Sequence, residues 1–279
     1  MKHKKPVIIS FEFFPPKTAH GLQLLQQTAE TLKKLSPHFF SVTFGAGGST
    51  RDGTLETVAM LQKMDISVAP HLACVGMKRE ELKSIIQTYQ ALGIKRMVAL
   101  RGDLPSGMGQ NGELRYANEL VELIRETVES AFYIEVAAYP EVHPQAKTAL
   151  SDLLYLKKKM EAGANSAITQ YFFNPDAYFY FVDECEKQGI TIPIVPGIMP
   201  INHFEKLVRF SDMCGAEIPR WIRKRLESYS DEKDILKFGQ EVVYQLCDQL
   251  VEKGAPGLHF YTLNHADSSM ELVKMLNLR

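Results

Sequence analysis

Short apolar runs alternate with amphipathic stretches along almost the whole chain, and that alternation limits the folds open to it more than any other feature. Eight runs rich in Val, Ile, Phe, Tyr and Thr occupy residues 7–14, 39–44, 67–74, 97–100, 133–139, 167–173, 192–199 and 258–263. Turn residues bound most of them, as expected of strands. Helical spacing fills the gaps at 22–35, 80–92, 117–128, 150–161, 176–187, 204–213, 231–251 and 269–276, and Asp52 is placed to cap a helix carrying Leu55, Val58 and Leu61. Gly93, Gly163, Gly189 and Gly254 stand where helices should stop. Strands that are apolar along most of their length suit a parallel sheet covered on both faces. Such a chain forms either a closed barrel or a doubly wound sheet. The strand count and the even spacing favour a single (β/α)8 barrel over residues 1–279. The length of 279 residues fits one barrel, and no Pro-, Gly- or Ser-rich linker divides it.

Polar residues collect where the apolar runs end. The first run ends in Glu12-Phe-Phe-Pro-Pro, and the second leads into Thr43-Phe-Gly-Ala-Gly-Gly-Ser-Thr. The third carries His71 and the fourth closes on Arg101-Gly102-Asp103. The fifth leads into Tyr139-Pro-Glu-Val-His143. The sixth holds Thr169-Gln170, and the last ends in Thr262-Leu-Asn264-His265. In a barrel these ends converge on one rim, where barrel active sites lie. Glu12 stands among Phe11, Phe13 and Phe14. Read as an acid in an apolar pocket, it has a raised pKa and serves as a general acid near neutral pH. Read plainly, it is a solvated strand-end carboxylate or the partner of a nearby arginine. Arg101 and Asp103 form either a local ion pair or, through an arginine beside a glycine, a phosphate contact.

Bulk properties remove several function classes. Lys plus Arg total 32 against 33 Asp plus Glu, a net charge of -1, so no global field attracts nucleic acid. Cys74, Cys185, Cys214 and Cys247 lie far apart, which argues against a zinc cage or redox pair and for buried thiols in a reducing cytoplasm. No run approaches the ~20 apolar residues that span a bilayer. Glu12 and the lack of a cleavage site argue against a signal peptide. His71 and His143 are metal ligands or satisfied histidines; neither belongs to an H-x-H or H-E-x-x-H pair, and no metal is expected. The segment 45–50 offers backbone N–H groups to an anion between strand and helix. Gly107-Met-Gly-Gln-Asn-Gly112 matches G-x-G-x-x-G, but it sits past its strand without a second-strand acid and reads as a plain loop. No lysine stands at a strand end, which disfavours a Schiff-base aldolase.

Seven segments in order resemble the methylenetetrahydrofolate reductase family in its short bacterial form. They are Ser10-Phe-Glu-Phe-Phe-Pro-Pro16, Ser41-Val-Thr-Phe-Gly-Ala46, Ala69-Pro-His-Leu72, Ala99-Leu-Arg-Gly-Asp-Leu-Pro105, Val136-Ala-Ala-Tyr-Pro-Glu-Val-His-Pro144, Ala167-Ile-Thr-Gln170 and His259-Phe-Tyr-Thr-Leu-Asn264. The resemblance implies a barrel that holds FAD and reduces 5,10-methylenetetrahydrofolate to 5-methyltetrahydrofolate, supplying methyl groups for methionine synthesis. The implied reductant is NADH rather than NADPH. Glu12 would protonate the leaving nitrogen as the folate ring opens, and Asp103 would stabilise the iminium cation from beside flavin and pterin. Gln170 and Phe210 would bind substrate, as would Lys206 and His265. The last two depart from the glutamine and arginine common in bacterial relatives. The implied FAD contacts are Thr43, Phe44, Ala46, His71, Arg101, Gly102, Asp103, Ala117, Tyr139, His143, Ala146, Asp152, Lys158 and Lys159, with Lys158 replacing an arginine of many relatives. A cytoplasmic homo-oligomer, a tetramer, is implied. Ending at Arg279, the chain is expected to lack the regulatory domain of the eukaryotic enzymes and inhibition by S-adenosylmethionine. Two other readings compete: a metal-dependent barrel hydrolase using His71, His143 and Asp103, and a catalytically silent folate- or flavin-binding protein.

Overall fold

Period two in a strand sends neighbouring side chains to opposite faces, so a strand apolar on both faces needs cover on both. A closed ring of strands inside a ring of helices supplies that cover. The computed structural model describes residues 7–44, 48–103 and 112–278. In chain order its elements are β1 (Ile8–Phe13), α1 (Ala19–Lys33), β2 (Phe39–Val42), α2 (Gly48–Gln62), β3 (Val68–Ala73), α3 (Arg79–Ala91), β4 (Arg96–Leu100), α4 (Ala117–Val128), β5 (Tyr133–Ala138), α5 (Ala149–Glu161), β6 (Ser166–Thr169), α6 (Pro175–Lys187), β7 (Ile194–Val195), β8 (Gly197–Ile198), α7 (Phe204–Cys214), α8 (Arg220–Glu227), α9 (Glu232–Glu252), β9 (Gly257–Tyr261) and α10 (Asp267–Met275). The strands form one sheet in the order β7-β6-β5-β4-β3-β2-β1-β9-β8, and every pairing is parallel. β7 pairs with β6 and β8 with β9, so these two pieces, separated by Pro196, complete the barrel as halves of one strand.

The alternation separates two apolar clusters. Phe11, Phe13, Phe40, Val42, Leu72, Met97, Val136 and Phe260 belong to the large core beneath the helices. Phe39, Ala69, Val98 and Ile168 form a second cluster, with Leu100 against it; they alternate with the first set and plug the barrel interior. Below this plug, at the amino ends of the strands, Arg96 pairs with Glu135, and Ser166 donates to the same carboxylate. The Arg96 guanidinium lies 4.7 Å from the Phe39 ring centre and 4.0 Å from that of Tyr133, and it donates to His38 Nε2 at 2.9 Å. A hydrogen-bonded, ring-flanked ion pair therefore forms the barrel floor.

The helices begin where local chemistry directs. Thr18 Oγ1 accepts from the Gly21 N–H, Asn174 accepts from Asp176 with Pro175 at the first helical position, and Asp231 accepts from Lys233. On α4, Leu120, Val121, Leu123, Ile124 and Val128 are buried at helical spacing. Among the described residues no helix is long and apolar enough to cross a membrane.

Several expected elements differ. The strand expected over 192–199 is split, because Pro196 has no N–H to donate to a ladder. Its carbonyl accepts from His259 N, while Gly197 N donates to the Thr169 side chain at 2.9 Å. The sixth strand ends at Thr169 rather than 173, and Tyr171, Phe172 and Phe173 are buried outside the sheet. Asp52 lies inside α2, which already begins at Gly48, so it is not a cap. Helix α8 was not expected; its signal is the pair Ile222 and Leu226, four residues apart and buried. The two glycine patterns fall largely on 45–47 and 104–111, outside the described residues.

The closing strand leaves no room for a side chain at its break. A methyl group on Gly197 would collide with the Thr169 carbonyl and stand 2.6 Å from the Tyr261 ring. Gly197→Ala should therefore cost about 1–3 kcal/mol or more. A lowered thermal midpoint would register this; an unchanged midpoint would mean the strand can shift without loss.

Candidate functional site at the carboxyl ends of the strands

Glu12 is the fifth residue of β1, in register with Ser41 of β2 and Tyr261 of β9. Its neighbours Phe11 and Phe13 face the helices, so Glu12 faces the barrel mouth among polar groups, not among phenyl rings. Three side chains converge on its Oε2: Ser41 Oγ at 3.5 Å, His259 Nε2 at 3.4 Å and His71 Nε2 at 3.4 Å. Burial alone pushes the carboxyl up, but His71, His259 and Ser41 together outweigh it, and the net direction is below the ordinary carboxylate value. This corrects the expectation of a raised pKa. That expectation took sequence neighbours for spatial neighbours. The backbone around Glu12 is tied down as well. Thr262 Oγ1 donates to the Glu12 carbonyl at 2.6 Å, and the Asn264 side chain bonds both N–H and carbonyl of Phe14. Leu263 and Asn264 adopt left-handed conformations (φ 50° and 62°) to bring that amide into place.

His71 is buried, and burial holds its imidazole below the usual value, with Glu12 opposing the shift. Its Nε2 has no hydrogen-bond partner among the described residues. His259 carried no expected role, although it lies inside one of the quoted segments. It is fully buried on β9, with Nδ1 2.7 Å from Ser10 Oγ, its ring stacked on Phe39 and edge-on to Tyr261.

A second group gathers at the ends of β4 and β5. Gly102 has φ 85°, and a Cβ there would lie 2.8 Å from Ala73 Cβ, so the turn between Arg101 and Asp103 requires glycine. Arg101 Nη2 donates to Gln145 Oε1 at 2.6 Å. The Tyr139 and His143 rings meet edge-on at 4.5 Å, and the His143 N–H donates to Asp152 Oδ2 at 2.9 Å. Burial lowers the His143 pKa, and Asp152, Arg101, Lys159 and Asp103 all lie close enough to act on it. Tyr139 is pushed up to about 12, by burial first and then by Asp103 and Asp152. Lys159 Nζ reaches inward to the Ala137 carbonyl at 2.6 Å; burial lowers it to about 8 against the pull of Asp152. Lys158, the preceding residue on α5, is exposed and points the other way, with Nζ 5.0 Å from the Tyr155 ring centre. It lines a groove of about 630 Å³ between α4 and α5, together with Asn118, Glu122 and Arg125. Ala117 starts α4 beside Tyr116, whose ring stacks on Tyr155 at 4.9 Å.

The remaining expected residues are more scattered. Thr43 and Phe44 follow β2 and are half-buried, and Ala146 lies on the turn before α5, its N–H donating to the His143 carbonyl. Gln170 follows β6, its Oε1 taken by the Tyr171 N–H at 3.0 Å. Lys206 and Phe210 lie one turn apart on α7, the lysine exposed and the phenyl half-buried against the main core. His265 is exposed beyond β9. No hydrogen bond or ion pair among the described residues joins the side chains of these last four to Glu12. Ala46 lies outside the described residues. Tyr261 links the two halves of the mouth, because Glu12 and Tyr139 both act on its hydroxyl.

His71 and His143 occupy separate environments, and no group of three or more His, Cys, Asp or Glu among the described residues is arranged to hold a metal. All four cysteines are free thiols. Burial pushes Cys74 and Cys185 up to about 12, which leaves them unreactive at neutral pH.

Similarity to known proteins extends over nearly the whole chain. The family model described as methylenetetrahydrofolate reductase matches residues 1–277. The 5,10-methylenetetrahydrofolate reductases of Salmonella typhimurium and Escherichia coli are each 41% identical over 273 residues, 97% of this chain and 91% of theirs. A probable methylenetetrahydrofolate reductase (NADH) of Oryza sativa is 38% identical over 286 residues, 97% of this chain but 48% of the rice protein. Among solved structures, an uncharacterised Clostridium thermocellum protein that binds two copies of 5-methyl-5,6,7,8-tetrahydrofolic acid shares the fold, with a TM-score of 0.69 at 17% identity over 99% of this chain and 95% of that one. The chain belongs to the methylenetetrahydrofolate reductase family.

Proposed function

We propose that this protein is a flavin-dependent reductase that converts 5,10-methylenetetrahydrofolate to 5-methyltetrahydrofolate with NADH. The observation that carries this reading is one barrel mouth combining a firmly held carboxyl, Glu12, with an adjoining cationic and aromatic group made by Arg101, Tyr139, His143 and Lys159. The donor set suits FAD. Arg101 and Lys159 offer positive charge to a pyrophosphate, Gly102 permits the turn that carries Arg101 and Asp103, and His71 Nε2 is a buried polar atom beside Glu12 with no hydrogen-bond partner among the described residues. Arg101, His143 and Lys159 would hold such a cofactor at the mouth, while Lys158 faces a separate groove between α4 and α5. When bound, the flavin stores a hydride between nicotinamide and folate.

The chain's own residues then perform two tasks. The folate carbon bridges two nitrogens and accepts hydride poorly until one C–N bond opens to an iminium. Glu12 supplies the proton to the leaving nitrogen. Its side chain retains 17% exposure, and covering the mouth with substrate removes that water and moves the carboxyl toward its neutral form. Asp103, exposed beside the mouth, stabilises the cation formed. This division assigns Glu12 to the folate half-reaction and leaves the nicotinamide half independent of it.

The direct test is the visible spectrum of the purified protein before and after anaerobic NADH. A flavin band that bleaches with NADH and recovers on adding methylenetetrahydrofolate is expected; a colourless protein that binds no added FAD would end the reading. Glu12→Gln should retain bleaching by NADH while slowing reoxidation by the folate about 10²–10⁴-fold, the usual worth of a general acid. Equal loss in both half-reactions would mark Glu12 as structural. Flavin affinity should also depend on pH. Lys159 is charged below about 8 and neutral above it, so a contact to an anionic phosphate weakens as pH rises through that value. Titrating apoprotein with FAD from pH 7 to 9.5 should show weakening that Lys159→Met abolishes.

A further inference from the structure

We propose that His259 is the positioning residue for Glu12: with its tautomer set by Ser10, it pins Glu12 Oε2 in the barrel and leaves Oε1 to face the substrate. The inference rests on the reading of Glu12 as the proton donor and adds the residue that aims it. It begins with an imidazole in an expensive place. His259 is fully buried halfway along β9, level with Ser10 of β1, and its ring lies against Phe39 of the apolar plug. A phenyl or isobutyl group would fill such a position without desolvating two ring nitrogens. Both nitrogens are instead engaged, Nδ1 with Ser10 Oγ at 2.7 Å and Nε2 with Glu12 Oε2 at 3.4 Å.

Those two contacts set the proton positions. An ionised carboxylate only accepts, so Nε2 carries the hydrogen toward Glu12. In the neutral imidazole Nδ1 is then the acceptor, and the Ser10 hydroxyl donates to it. Reversing the tautomer would set a lone pair against the carboxylate. Ser10, His259 and Glu12 resemble a hydrolase triad only in composition. Ser10 is 2% exposed and lies below Glu12, so its oxygen cannot reach a substrate at the mouth. It orients the imidazole, and the imidazole orients the acid.

The other neighbours of Glu12 do not perform this task. Ser41 Oγ stands at 3.5 Å, the outer limit of a hydrogen bond, and His71 Nε2 lies 3.4 Å away but has no hydrogen-bond partner among the described residues. Of the three, His259 alone combines a hydrogen bond to Oε2 with a described anchor on its far side. The long 3.4 Å separation suits a contact that tightens when substrate closes the mouth. The titratable and charged groups around the imidazole are Glu12 on β1, His71 on β3, Glu135 on β5, with Arg96 of β4 behind it, and Tyr261 on β9.

The test uses the flavin-loaded protein and measures both half-reactions for wild type, Glu12→Gln, His259→Phe, His259→Gln and Ser10→Ala. His259→Phe should slow reoxidation by methylenetetrahydrofolate about 10–100-fold, the range lost when an orienting partner is removed, while bleaching by NADH changes far less. His259→Gln, whose amide N–H can stand near the position of Nε2–H, should recover most of that loss. Ser10→Ala keeps the packing and should slow the same half-reaction by a smaller factor, which retains a readout if the phenylalanine variant does not fold. Wild-type folate reoxidation with His259→Phe, equal loss in both half-reactions, no recovery with glutamine, or an unaffected Ser10→Ala would each overturn the proposal. If wild type fails to reduce the folate, or Glu12→Gln leaves that step intact, the functional reading itself falls and this inference with it. If Glu12→Gln is defective and His259→Phe is not, only this inference falls.

Discussion

Closing eight strands into a ring sends every second side chain into a narrow interior, and the rest of the molecule depends on how that space is filled. At mid-height Phe39, Ala69, Val98 and Ile168 fill it with hydrocarbon. Below them Arg96 and Glu135 neutralise each other between two aromatic rings. Above them the filling becomes polar: Glu12, Ser41 and His71, with His259 reaching up from the plug itself. The plug separates two buried acids that would otherwise share one dielectric interior, and each acid meets a different partner. Glu135 has a permanent cation, whereas Glu12 has two imidazoles and a hydroxyl.

That difference in partners carries functional consequences. A guanidinium stays charged at any working pH, so Glu135 always faces a cation, while burial still pushes its carboxyl above the ordinary value. Around Glu12 the partners are two imidazoles and a hydroxyl rather than a guanidinium, so no permanent cation fixes the state of the carboxyl. Burial raises the carboxyl and the surrounding donors lower it, and the two effects oppose each other within one pocket. A proton donor that must reload between turnovers benefits from such a balance, because a small change in hydration tips it. The floor pair, tied by hydrogen bonds to Ser166 and His38, provides rigidity instead.

Much of this was readable along the chain. Strand and helix positions followed from periods of two and 3.6, and the collection of polar residues at strand ends located the mouth before any coordinates. The misses have physical causes. Tyr171-Phe172-Phe173 has strand composition, but these rings are buried outside the sheet. Pro196 divides a strand because a ladder needs its missing N–H. Helix α8 is short and mostly charged, so only Ile222 and Leu226 betray it. Nothing within β9 signals a partner for His259, because Ser10 lies 249 residues away. Glu12 is surrounded by phenylalanines along the chain but not in space, because adjacent residues in a strand face opposite sides.

By itself, then, the sequence determined the barrel, the rim that carries the chemistry and the family to which the chain is similar, because periodicity and ordered motifs are local properties that survive without coordinates. Only the tertiary structure decided which groups surround Glu12, the direction in which its acidity moves and the divergence of Lys158 from Lys159. Those depend on strand register and helix facing, which bring together residues from β1, β2, β3 and β9 and turn adjacent lysines on one helix toward different surroundings. Charge interactions and desolvation act through space, over a few ångströms, and are indifferent to distance along the chain.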